Sequence, residues 1–177
     1  PILSLADAAI VGNMCSNATE SLAAVGIVSS FLSMLIWVLG QSRSAMSAII
    51  SQYLGAEKLK DVQNLPAQAI GIIIVLSLFI CGATVPFSEA IFKFYNASGI
   101  LLDYSVDYYK IRIIGFPFTL YTFAIFGVFR GLQNTYHPMI VAIIGALSNI
   151  ILDFILVYGI TGVMEPMSLK GAAVASV

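Results

Sequence analysis

Two carboxyl groups stand in stretches that are otherwise free of charge. Asp7 lies in Pro1-Ile-Leu-Ser-Leu-Ala-Asp7-Ala-Ala-Ile-Val-Gly12, and Asp153 lies in an apolar run that also carries Asn149. An ionisable side chain among apolar residues is costly inside a membrane, so it faces a bundle interior or a wet cavity. Burial favours the protonated carboxyl and a cation held nearby favours the anion, so such a group can exchange a proton for a metal ion. Asn149 and Asp153 are four apart, which on a helix puts them on one face, one turn from each other. Carboxylate and amide oxygens suit a hard cation such as sodium. The plainer alternative has Asn149 bridging helices and Asp153 neutral and hydrogen-bonded.

Composition says what must position these residues. The chain has 177 residues, of which 59% are hydrophobic and 10% charged. Its mean hydropathy is +0.97. A soluble domain carries roughly 25% charged residues. The balance of eight Lys plus Arg against nine Asp plus Glu, net −1, leaves no basic surface for nucleic acid. An integral, multi-pass membrane protein embedded in a lipid bilayer is what remains. The expected fold is all-α, a polytopic bundle forming a single transmembrane domain over 1–177.

A membrane helix needs about 20 residues. Pro1 to about Met14 reads as part of a first span, followed by a polar turn. Ser21 to Gly55 reads as a second, interrupted only by Arg43, with Gly55 as a C-cap. As one helix it would be about 52 Å long, so it would tilt or protrude. Val62 to Ser88 is a charge-free third span that Pro86 ends, and Phe87 to Gly99 is a short amphipathic stretch suited to the interface. The fourth, from Ile100 to Phe129, starts with a head of Asp, Tyr and Lys whose tyrosines fit an interfacial aromatic belt. The fifth runs from Met139 to Tyr158, with Pro138 suited to its first turn, and Gly171 begins a sixth. Five spans plus the start of a sixth are expected. The bare apolar ends predict an excerpt of a longer membrane protein, truncated at both ends.

Other residues read as structural. Cys15 and Cys81 are packing residues, being too few and too distant for a metal or redox pair. His137 belongs to a polar connection. Arg130 closes the fourth span and snorkels to the interface. Ser44, Ala48 and Ser51 share a helical face that permits close packing. No zinc-protease motif, nucleophile elbow or phosphate-binding glycine loop is present, so no catalytic residue and no enzyme is expected. Lys58, Lys60 and Arg130 on one side against Lys93 and Lys170 on the other leave the orientation a near tie.

Four patterns give the chain a family likeness. They are Pro1 to Gly12 with Leu22-Ala23-Ala24-Val25-Gly26; Gln52-Tyr53-Leu54-Gly55-Ala56; Arg112 to Pro117 with Gly127 to Thr135; and Asn149 to Asp153 with Gly171 to Ser176. In order and spacing the chain resembles the multidrug and toxic compound extrusion (MATE) family of cation-coupled efflux transporters. The opening Pro-x-Leu-Ser-Leu-x-Asp is similar to the DNA-damage-inducible branch, which has bacterial and plastid members.

The resemblance implies most of the N-terminal six-helix lobe of a twelve-helix, two-lobe transporter whose C-terminal lobe is missing here. It implies antiport of a drug, organic cation or organic acid against protons or sodium ions by alternating access, with no cofactor beyond the coupling ion. It maps the cation site onto Asp7, Asn149, Asp153 and Ser176, with help from the Ala172 carbonyl. Asp7, Asn149 and Asp153 would be the ligands if the ion is sodium. Arg130, Gln52 and Pro117 become structural or gating candidates. The orientation it implies puts Lys58, Lys60 and Arg130 in the cytoplasm, with the protein in a bacterial inner membrane or a plastid envelope. The competing expectations are a lipid-linked oligosaccharide flippase of the related exporter superfamily and a membrane scaffold or receptor that transports nothing. A large basic cavity would favour the flippase, but this chain's few Lys and Arg sit mostly at helix ends.

Overall fold

The apolar runs fold as helices because a lipid-exposed backbone must satisfy its own hydrogen bonds. In the computed structural model, residues 18–158, 171, 173 and 174 are described. In chain order the helices are α1 (Ala18–Leu39), α2 (Ser42–Gly55), a 3-10 turn (Leu59–Val62), α3 (Leu65–Thr84), α4 (Ser88–Phe94) and α5 (Ile100–Arg112). A second 3-10 turn (Ile113–Gly115), α6 (Phe116–Gly131) and α7 (Tyr136–Tyr158) complete the order. Among the described residues no strand occurs.

Among the described residues four stretches are long and apolar enough to cross a membrane: Thr19–Gly55, Leu65–Thr84, Ile100–Gly131 and Tyr136–Val157. They correspond to the expected second to fifth spans. The expected first span and the residues around Ser176 lie outside the described residues.

Both long stretches are subdivided. The second span is not one straight helix, because its backbone ladder gives way at Gly40 and Gln41. There Arg43 N donates to Gly40 O at 3.1 Å and Ser44 N to Gln41 O at 2.9 Å, tightening the chain into i→i−3 bonds. The fourth span tightens at Ile113–Gly115, and Pro117 sits in the first turn of α6, where its missing N–H is tolerated.

Helix ends are closed by backbone geometry rather than by glycine. At Glu57, Asn96 and Gln133 φ is near +60°. Each is followed by the same pair of bonds, for example Asn134 N to Phe129 O at 2.9 Å and Gln133 N to Arg130 O at 3.0 Å. This is the Schellman closure, which usually places Gly at the left-handed residue. The expected cap at Gly55 is corrected accordingly: Gly55 remains helical and Glu57 takes the left-handed position.

The described residues group into two compact units. One draws on residues 18–33, 82–115, 144–158, 171, 173 and 174, the other on Met34–Cys81 and Phe116–Ile143. The first unit has an aromatic core. Phe31 meets Phe92 edge-on at 6.1 Å and Tyr109 at 5.8 Å, and Phe92 meets Tyr109 at 5.3 Å. The Tyr109 hydroxyl is 2.5 Å from Thr84 Oγ1. Tyr108 and Tyr109 are 0% exposed, so these two tyrosines belong to the core and not to a lipid-facing belt.

The second unit is held by a seam between α2 and α6. A methyl at Gly127 would meet Arg43 O at 2.7 Å and Met46 Cβ at 3.2 Å; one at Gly131 would meet Ile50 Cβ at 2.7 Å and Ser47 O at 3.0 Å. Partners rise together along both chains, so the helices run parallel. Ser51 Oγ donates to Gly131 O at 3.1 Å. Small residues let backbones approach in this way in membranes. The face of α2 that packs carries Met46, Ser47, Ile50 and Ser51, whereas Ser44 and Ala48 are exposed, against the expectation.

Candidate cation site and helix ends

The candidate site is carried by α7, a 23-residue helix in which Asp153 is the one Asp, Glu, Lys or Arg. Its exposure varies around the helix, and towards its end Ile155 and Leu156 are half-buried as well. Leu147, Ile151 and Phe154 are exposed, whereas Ala146, Asn149, Ile150 and Val157 are buried or half-buried. At 100° per residue those four fall within about 100° of arc. Asp153 occupies a register position inside that arc, one turn after Asn149 and one turn before Val157. The Asn149 side-chain oxygen Oδ1 is buried. Ser148, by contrast, is exposed on the other side of the helix.

A second backbone comes up against the end of this stripe. Gly171 is buried against α7, and a methyl there would collide with the Leu156 carbonyl oxygen and come within 3.0 Å of Val157 N. Ala173 is also buried. The start of the sixth apolar segment thus packs three to four residues beyond Asp153, in the same unit. Asp7, Ala172, Ser176 and the side chain of Asp153 lie outside the described residues. Among the described residues no group of three His, Cys, Asp or Glu side chains could hold a metal ion.

The gating candidates sit at helix ends. Gln52 is exposed near the end of α2, where its carbonyl accepts Ala56 N at 3.0 Å. Arg130 is exposed in the last turn of α6, and its carbonyl takes part in the Schellman closure. Each is the sequence neighbour of one member of the Ser51–Gly131 hydrogen bond, so the seam brings both to one level. Pro117 is half-buried. His137 stacks on Phe129 with centroids 5.8 Å apart, and its Nδ1 is 3.3 Å from Asn134 Oδ1.

Sequence reasoning left Arg43 unplaced. It lies beside Gly127, four residues or about 6 Å before the end of α6. Its guanidinium carbon is 5.1 Å from the Phe123 ring centroid, a cation–π contact. The seam glycines also escaped that reasoning, although Gly-x-x-x-Gly in an apolar helix is itself a packing signal.

The MatE family profile matches residues 1–155. DNA damage-inducible protein F of Escherichia coli is 28% identical over 178 residues, covering 100% of this chain and 37% of that protein. Multidrug export protein MepA of Staphylococcus haemolyticus is 35% identical over 115 residues, covering 63% of this chain and 25% of that protein. Among solved structures, MATE in the bent conformation aligns with a TM-score of 0.88 at 23% identity, over 99% of this chain and 37% of the other. The inward-facing conformation of a multidrug resistance MATE family transporter aligns with a TM-score of 0.85 at 24% identity, over 99% and 38%. At these identities the structural likeness shows the fold. The chain spans little more than a third of the first of these relatives.

Proposed function

The chain belongs to the MatE family, and on that premise we propose that it is one lobe of a cation-coupled exporter working by alternating access. The proposal is carried by register: Asp153 is the one charged residue of α7 and stands one helical turn from Asn149, whose side-chain oxygen is buried. Such a residue is a functional position by default in a membrane. Asp7, Asn149, Asp153 and Ser176 form the proposed cation site. Gln52, Arg130 and Pro117, all in the second unit, are proposed as structural or gating positions.

The physics of coupling is competition. An ion or proton on the Asp153 carboxyl removes an uncompensated charge from a region of low polarity. Helix packing that suits the neutral or ion-bound site differs from packing that suits a bound substrate, and the two ligands then weaken one another by the same factor. Substrate leaves on the side where the ion enters. Proton and sodium are both compatible with carboxylate, amide and hydroxyl oxygens. The substrate class we propose is a small organic compound, drug-like or cationic, in keeping with the export described for the Staphylococcus haemolyticus relative. The bacterial sources of that protein and of the Escherichia coli relative favour an inner-membrane location.

The test uses the intact protein in liposomes loaded with ethidium. A proton gradient and then a sodium gradient are imposed, and loss of the dye is followed. Efflux by the wild type under one gradient, abolished in Asp153→Asn with insertion unchanged, is the expected result. Equal gradient-driven efflux by both proteins removes Asp153 from the mechanism.

A further inference from the structure

The helix α4 has three distinct faces, and one of them is apolar and largely exposed among the described residues. Ser88 and Phe92 point inward, with Phe92 0% exposed in the aromatic core beside Phe31 and Tyr109. Glu89 and Lys93 lie one turn apart on a second face, paired at 3.5 Å and open to solvent. Phe87 and Phe94 are 66% and 86% exposed, and Ile91 between them is half-buried. Ile91 N donates to Phe87 O at 3.0 Å, so Phe87 continues the helical register. At 100° per residue Phe87, Ile91 and Phe94 fall within about 60° of one another, roughly opposite Glu89 and Lys93.

We propose that α4 lies flat in the bilayer interface, with Phe87, Ile91 and Phe94 inserted among the glycerol and upper acyl groups of phospholipids. Continuity with the membrane spans identifies the occupant. Helix α3 has 20 residues, about 30 Å, which is one hydrocarbon thickness, and it ends at Thr84, three residues before Phe87. Phe87 is therefore held within about 10 Å of the hydrocarbon edge. A helix with an apolar face towards lipid and a polar face towards water lies in the plane of that boundary. In this arrangement the Phe92 face fixes α4 to the core of its unit, while the Phe87–Phe94 face sets the depth at which that core sits. This inference is independent of transport and of the identity of the coupling ion.

The experiment is a nitroxide scan of positions 87–94 in the intact protein, with other cysteines replaced, reconstituted in phosphatidylcholine–phosphatidylglycerol vesicles. Collision with oxygen, which concentrates in lipid, is compared with collision with a water-soluble nickel chelate. Labels at 87, 91 and 94 are expected to favour oxygen, labels at 89 and 93 the nickel complex, and labels at 88 and 92 neither. Nickel accessibility at 87 and 94 as high as at 89 would mean that the face looks into water and would overturn the proposal. Low accessibility to both reagents at 87 and 94 would mean that protein covers them, and would overturn it equally.

Discussion

Adding one methyl to the α2–α6 seam should destabilise the protein, although the same change elsewhere on a helix should stabilise it. At Gly131 the new carbon would stand 2.7 Å from Ile50 Cβ, 2.9 Å from its Cγ2 and 3.0 Å from Ser47 O. Carbon atoms rest at about 3.5–4.0 Å, so the helices must separate by roughly 0.5–1 Å. Neither neighbour can rotate away, since Cβ and the carbonyl are fixed to the α2 backbone. Overpacking of this kind costs about 1–3 kcal/mol. Separation also stretches the 3.1 Å bond from Ser51 Oγ to Gly131 O, a contribution of about 1 kcal/mol. Against this stands the helix preference of Ala over Gly, about 1 kcal/mol. The net expectation for Gly131→Ala is a loss of about 1–3 kcal/mol. At Gly71, where nothing lies within 4 Å of the new carbon, the same substitution should gain up to about 1 kcal/mol. Denaturant unfolding of the purified intact protein in detergent, followed by loss of helical circular dichroism, reads both. Equal midpoints for Gly131→Ala and Gly71→Ala would refute the seam as the element holding the second unit together.

Other consequences follow from individual contacts. Replacing Glu57 or Gln133 by Gly should raise stability by about 0.5–1 kcal/mol each, since both hold φ near +60°, where a side chain is strained; a drop in the unfolding midpoint would contradict the Schellman geometry. Tyr109→Phe removes the hydroxyl bonded to Thr84 and should cost about 1 kcal/mol. Phe92→Ala leaves a cavity where two aromatic rings met and should cost about 3–5 kcal/mol, so thermal melts should rank Phe92→Ala well below Tyr109→Phe. Gly171→Ala should disturb the contact with the Leu156 carbonyl and lower stability by about 1–3 kcal/mol, whereas little change in the melt would remove that contact from the site's support.

Hydropathy alone made the spans legible, because crossing a membrane demands length and apolarity and little else. What it could not show is where a span breaks. The run from Ser21 to Ser42 carries no charge, so hydropathy does not mark the change of bonding at Gly40 and Gln41. Helix closure was misplaced at Gly55 because the residues that adopt left-handed backbone here, Glu57, Asn96 and Gln133, carry side chains and give no glycine signal.

The packing face of α2 was misread for a related reason. Small side chains were assigned to the contact, yet the partner supplies the room: Gly127 and Gly131 on α6 form notches that accept Met46 and Ile50. Tyr108 and Tyr109 look amphipathic in sequence, but both are 0% exposed, Tyr109 against Phe92 of the short helix α4. The α7 candidate site was proposed from sequence because its signal is a rarity: a charge in a membrane helix has few places to go, and Asp153 shares register with Asn149, whose side-chain oxygen is buried.

The proposed coupling of ion binding to substrate binding rests on a carboxyl of α7. Equilibrium binding of tetraphenylphosphonium to the purified intact protein, titrated with protons and separately with sodium, tests it most directly. Competition predicts that the apparent Kd rises with one of these ions in the wild type and is independent of both in Asp153→Asn. The same ion dependence in wild type and Asp153→Asn would contradict the account.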